Sequence, residues 1–277
     1  MSEHESYFNS LHSGGDECTT ERAYIMLHPN TSYEEDSFLQ SSDDIPTALD
    51  GAFSQLLNAN AISYYEISIL DTSVANYPDF SDLTNNNIDD KFKAYLTTDS
   101  SQDNGTGTNL KNYNGLHLLV HSAGCNEDIC GGEYADDVCG DEGQEYSAFS
   151  RGVMGWTGAE CNTHSGMRKN SAIQEVVHGF IRYKGIDYQD LCHDDSTPTT
   201  YLEHRLGKVD KYGRITPMLT YHDDESNLVN AGKCDGYSAN DNYDFTQTLT
   251  SCTETAVKQS ANRMCISQTK PDYCDNI

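Results

Sequence analysis

The stretch Ser171-Ala-Ile-Gln-Glu-Val-Val-His-Gly-Phe-Ile-Arg-Tyr183 holds the residues best placed to do chemistry. Ile173, Val176, Val177, Phe180 and Ile181 recur at helical spacing and form one apolar stripe. Gln174 and His178, four apart, share a second face, with Glu175 one residue round from Gln174. Two donors at i and i+4 stand one turn apart and can close on a single metal ion. A Glu directly after the first donor is held where it can take a proton from water beside that ion. The same sequence also fits a helix with no site at all, in which Gln, Glu and His occupy the solvent side of an amphipathic element.

With Gln in its first position, Gln174-Glu175-Val176-Val177-His178 resembles the His-Glu-x-x-His helix of the zincin metallopeptidases. The resemblance implies a zinc cofactor, Glu175 as general base, His178 as the second zinc ligand, and Gln174 standing where the family has its first His. It implies a third ligand later in the chain. Glu203 and His204, 25 and 26 residues after His178, match the range at which thermolysin-like zincins supply a Glu. The metzincin position, six residues after His178, is Lys184 and cannot serve. Thr216-Pro-Met-Leu-Thr-Tyr221 is similar to a metzincin Met-turn. Met218 maps onto its methionine, but Tyr221 follows three residues later rather than two. The expected function is hydrolysis of a peptide or protein substrate by a zinc-activated water. The alternatives are a catalytically inactive zincin-fold binding module, favoured by Gln174, and an unrelated extracellular structural or interaction protein.

Other candidates carry less. His117 and His121 point the same way from a strand but roughly 13 Å apart at ~3.3 Å per residue, too far to share an ion. They read as partly buried polar residues. The runs His193-Asp-Asp195 and His222-Asp-Asp-Glu225 read as solvated surface, and neither has the alternating Asp and Gly of a calcium loop. There is no Gly-x-Ser-x-Gly elbow and no phosphate-cradling loop. Sequons occur at Asn30-Thr-Ser32 and Asn104-Gly-Thr106.

The elements that must position the 171–183 helix are legible in outline. Residues 1–22 read as a polar, partly loose N-terminal segment. A sheet-containing lobe over 23–184 should begin with a short strand at Ala23–Leu27. A helix follows over Ile45–Asn60, with Pro46 in its first turn and Leu49, Phe53, Leu56 and Leu57 on one face. Strands are expected at Ile62–Leu70, Gly115–His121 and Tyr146–Trp156, and a short helix at Ile88–Leu96. Residues 185–277 read as an irregular, disulfide-braced C-terminal lobe ending in a helix from about Phe245 to Met264. Strands and helices interleave, so the expected fold class is α/β or α+β; the resemblance implies that it is zincin-like, a mixed sheet with a central metal-site helix.

Composition bounds the rest. The 277 residues carry 44 Asp plus Glu against 17 Lys plus Arg, a formal charge of −27. That charge repels nucleic-acid phosphates and anionic lipid, so neither partner is expected. Halophile proteins use concentrated salt to screen such self-repulsion, and a halophilic protein is the expectation here. Eighteen Tyr and eight Phe argue against acidic disorder. Ten Cys, even in number and without a Cys-x-x-Cys, predict up to five disulfides and an extracellular or cell-surface location, with no secretory leader in this stretch of chain.

Overall fold

Three apolar strands and two helices supply most of the core. In β2 (Arg22–Pro29) and β3 (Tyr64–Leu70), alternate residues turn to opposite faces of the sheet. Ala23, Ile25 and Leu27 of β2 join Tyr65, Ile67 and Ile69 of β3 in one buried cluster. Helix α1 (Ile45–Asn58) lies on that face, burying Leu49, Phe53 and Leu56 completely, with Pro46 in its first turn. Its C-terminus closes through Asn60 in the left-handed region (φ 54°). The Asn60 N–H donates to Leu57 O at 3.0 Å and the Ala61 N–H to Leu56 O at 2.9 Å. This 5→2 and 6→1 pattern stops the helix at Asn58, two residues before the sequence expectation.

The computed structural model describes residues 8–29, 45–71, 115–121, 144–150, 165–181, 186–187, 191, 206–219, 234, 244–260, 266–267 and 273–274. Two further strands, β4 (Gly115–His121) and β5 (Gln144–Ser150), extend the sheet. The mixed sheet runs β1-β3-β2-β4-β5. β3, β2, β4 and β5 are parallel to their neighbours, and β1 (Phe8–Gly15) is antiparallel at the edge. β4 pairs with Ile25–Pro29, which leaves Arg22 and Ala23 for the antiparallel β8 (Ile266–Ser267). β2 and β3 are joined through α1, the helical crossover that parallel neighbours need.

Helix α2 (Ser165–His178) follows β5 and contacts α1, β4, β5 and β7 (Asp244–Phe245), so it lies between the sheet and the C-terminal segments. β7 pairs in parallel with β6 (Arg214–Ile215). Helix α3 (Ser251–Gln259) closes this region, capped by Thr250, whose hydroxyl accepts from the Thr253 N–H at 3.0 Å. Gln55 of α1 ties it back. Its amide accepts from the Leu249 N–H (2.9 Å) and donates to Leu249 O (2.8 Å) and Glu254 Oε1 (2.6 Å). Leu206, Met218, Leu249, Ala256 and Val257 belong to the same core as the sheet and α1.

Several elements differ from expectation. Phe8–Gly15 is an edge strand rather than loose chain: its polar residues suit an edge, and Leu11 at its bulge packs on the core. β5 covers Gln144–Ser150, and residues 151–156 lie outside the described residues, as do 88–96. α2 begins six residues before the expected Ser171 and ends at His178. The next three amides bond three residues back, Gly179 to Val176 O, Phe180 to Val177 O and Ile181 to His178 O, tightening the chain into 3₁₀ turns. α3 begins at Ser251 rather than Phe245, because Phe245 is held in the β6–β7 pair and Thr250 is extended.

Among the described residues two disulfides form, Cys18–Cys274 and Cys234–Cys252. The other six cysteines, both sequons and the acidic runs at 193–195 and 222–225 lie outside the described residues. Among the described residues no helix is long and apolar enough to cross a membrane.

Candidate functional site

Helix α2 has no solvent side over its C-terminal half. Ala172, Ile173, Val176, Val177, Phe180 and Ile181 are buried, and Phe180 packs edge-on against Phe53 at 5.3 Å. The polar residues between them are buried as well: Gln174 is 1 % exposed, Glu175 2 % and His178 5 %. An amphipathic helix with an exposed polar side is therefore not what the chain builds here.

Burial of polar groups is unfavourable unless each atom is matched, by about 1–3 kcal/mol for a neutral group left unsatisfied. The amide oxygen Oε1 of Gln174 is buried with no hydrogen-bond partner. Glu175 and His178 are buried beside it, and both residues have interactions of their own. An amide oxygen, a carboxylate and an imidazole thus lie within five residues of one buried helix, with Gln174 and His178 one turn apart.

The same stripe begins one turn earlier. Asn170, fully buried, donates from Nδ2 to Ile215 O (3.0 Å) and Thr246 O (2.7 Å), locking α2 against β6 and the chain after β7. Asn170, Gln174 and His178 occupy positions i, i+4 and i+8, so the side of α2 that carries the candidate donors is the side turned toward the C-terminal segments. Asn170 was not singled out from sequence. The signal was available, since it lies one turn before Gln174 on the same line.

The segment that meets this side of α2 is a hairpin. Val209 bridges Ile215, the Asp210 N–H donates to Arg214 O (2.9 Å), and the Thr216 hydroxyl bonds both the N–H and the carbonyl of Lys208 (2.8 and 3.0 Å). Arg214 binds Asp210 at 2.7 Å, and hydrogen bonds from Arg214 and Tyr212 hold the Asp210 carboxyl below its usual range against the opposing effect of burial. The return limb turns at Thr216-Pro-Met-Leu219, where the Leu219 N–H donates to Thr216 O (3.1 Å). Met218 is 1 % exposed and shares the core with Val176 and Val177. Gly207 permits this turn to close. A Cβ there would lie 2.4 Å from the Met218 carbonyl carbon and 2.1 Å from the Leu219 nitrogen.

Of the five residues expected at the site, Gln174, Glu175 and His178 lie buried on α2. Glu203 and His204 lie outside the described residues, as do Lys184 and Tyr221; the description resumes at Leu206, whose carbonyl accepts from the Thr250 and Thr253 hydroxyls. Among the described residues no group of three or more His, Cys, Asp or Glu is placed to hold a metal ion. His117 stands elsewhere, on the sheet face away from α1, fully buried against His28; the side chain of His121 lies outside the described residues.

No family model, curated protein or solved structure matches the chain.

Proposed function

We propose that the chain is a zincin-like metallohydrolase that cleaves peptide bonds, with α2 as its site helix. The observation that carries the reading is the buried, unsatisfied amide oxygen of Gln174, one turn from His178 and next to Glu175. Folding that leaves a polar atom buried and unmatched is accounted for when a ligand completes it. The placement of α2 between the sheet and the C-terminal segments, with Met218 in the core beside it, supports the same reading.

The donor set fits a divalent cation: an amide oxygen and an imidazole at i and i+4, with a carboxylate adjoining. His178 and Gln174 would hold the ion, with His204 or Glu203 as the sequence-based third donor. A bound zinc ion would supply Lewis acidity to the reacting carbonyl and water. Glu175 orients that water and takes its proton, then delivers the proton to the leaving amine. The burial of α2 keeps bulk water from competing for Glu175. Asn170 acts as a positioning residue, fixing the helix against the C-terminal chain.

The test is hydrolysis of an unfolded protein substrate by the full chain in molar salt with added zinc. Glu175→Gln should lower the rate at least about 100-fold with the fold retained. Wild-type chain that binds zinc but matches Glu175→Gln in rate would establish the second reading, an inactive binding module, which the substitution of Gln for the first His favours. Chain that neither binds zinc nor hydrolyses peptide would refute both.

A further inference from the structure

We infer that Gln174 makes the α2 site discriminate less in favour of zinc than a two-histidine pair would, so that it takes the oxygen-preferring divalent cation Mn²⁺ with comparatively undiminished affinity. The inference rests on the metal-site reading above and concerns which ion the site selects.

Donor chemistry carries the argument. Imidazole is the borderline-soft ligand that suits zinc, whereas amide and carboxylate oxygens suit harder ions such as manganese, magnesium and calcium. Of the buried α2 residues proposed to hold the ion, Gln174 offers an amide oxygen and His178 an imidazole nitrogen, where a two-histidine pair would offer two nitrogens. Gln174 Oε1 is the atom at issue. It is buried, it accepts no hydrogen bond, and Gln174 stands one helical turn from His178. The amide is not a surface residue that drifted at a lost ligand position, since such a residue would be solvated. Enclosure of Gln174 at 1 % exposure instead restricts its rotamers and pre-organises its oxygen. Intrinsic divalent affinity rises from manganese to zinc at any nitrogen and oxygen site, so the expected signature is a narrowed ratio between the two ions rather than an inverted order.

The experiment measures Mn²⁺ and Zn²⁺ binding to the full chain by equilibrium dialysis in molar KCl, which suppresses loose association with the acidic surface. Wild type, Gln174→His, Gln174→Ala and His178→Gln are compared, each first checked for the native melting transition. The expected result is that Q174H raises zinc affinity at least tenfold while changing manganese affinity less than threefold. Q174A should weaken manganese binding at least fivefold, and H178Q should weaken both ions. Equal gains for both ions in Q174H, or Q174A indistinguishable from wild type, would overturn the inference and leave the metal site standing. Binding of neither ion above the H178Q level, in wild type and Q174H alike, would instead remove the metal-site reading itself. Should H178Q fail to fold, manganese electron paramagnetic resonance of wild type against Q174A decides, since loss of the amide oxygen must alter the signal of an ion it ligates and unchanged spectra overturn the inference.

Discussion

His28 Nε2 and His117 Nδ1 lie 2.9 Å apart on neighbouring parallel strands, both imidazoles buried. Phe8 packs edge-on against each, at 5.6 and 6.3 Å between ring centroids. One facing nitrogen must donate and the other accept, so at most one of the two rings can carry a charge in this arrangement. Burial pushes the His28 pKa well below its ordinary value, and the nearby His117 ring lowers it further.

A pH dependence of stability follows. With the folded pKa of His28 below the unfolded value of about 6.5, the unfolded chain binds more protons in between. Stability is then full above pH ~6.5 and falls as pH drops beneath it, by at most about 1.4 kcal/mol per pH unit for one group. Urea unfolding at pH 7.5, 6.5 and 5.5 should show this decline. Replacing both rings (H28L/H117L) removes the titrating pair without stranding either partner, and the slope between pH 6.5 and 5.5 should flatten. A double variant with the parental slope would assign the acid sensitivity elsewhere.

Asn170→Ala should destabilise the chain by about 2–3 kcal/mol, because two buried carbonyls, Ile215 O and Thr246 O, lose their donor. Asn170→Asp should cost more, since it sets a carboxylate against the same two oxygens. Denaturant midpoints rank the three proteins. Wild-type stability in Asn170→Asp would mean that α2 is not held to the C-terminal chain in this way.

Much of the sheet lobe is readable from local pattern. β4 follows from a short continuous apolar run, buried on both faces of the sheet, and the apolar face of α1 from helix periodicity. β1 is not readable. Its Phe-Asn-Ser-Leu-His-Ser-Gly-Gly lacks alternation, and only the pairing partner β3 makes it a strand. The site helix is half readable. The i, i+4 relation of Gln174 and His178 is a property of sequence, whereas their burial is a tertiary property of a helix tied through Asn170 to Ile215, 45 positions later. His28 escaped notice for the same reason, since its partner His117 is 89 positions away.

Two glycines should respond in opposite directions to alanine. At Gly207 the added Cβ meets the Met218–Leu219 backbone, which cannot step aside as a flexible side chain can. Gly207→Ala should lose at least about 2–3 kcal/mol. At Gly51, within α1, a Cβ meets nothing within 4 Å, so Gly51→Ala should gain roughly 0.5–1 kcal/mol from helix propensity. Melting temperatures that shift the same way for both variants would contradict this packing.

The two bridges should differ in their contribution. Cys18–Cys274 closes a separation of 256 residues and Cys234–Cys252 one of 18. Loop-closure entropy then assigns about 5.5 kcal/mol to the first and about 3 kcal/mol to the second. The C18S/C274S and C234S/C252S variants, unfolded by urea, measure each. Thiol titration of the denatured, unreduced wild type should count no more than six free thiols among the ten cysteines. Seven or more would show that one of these bridges does not form.

The formal charge of −27 predicts a salt dependence with a particular shape. Self-repulsion among exposed carboxylates is screened over a Debye length of about 10 Å at 0.1 M salt and about 3 Å at 1 M. Melting temperature in KCl should therefore rise steeply at low concentration and flatten above roughly 1 M, where screening is nearly complete. Exclusion of solute from the protein surface would instead raise it steadily with concentration. A linear rise without a plateau would assign the stabilisation to exclusion, and a flat profile would show that the acidic surface exerts no net strain on the fold.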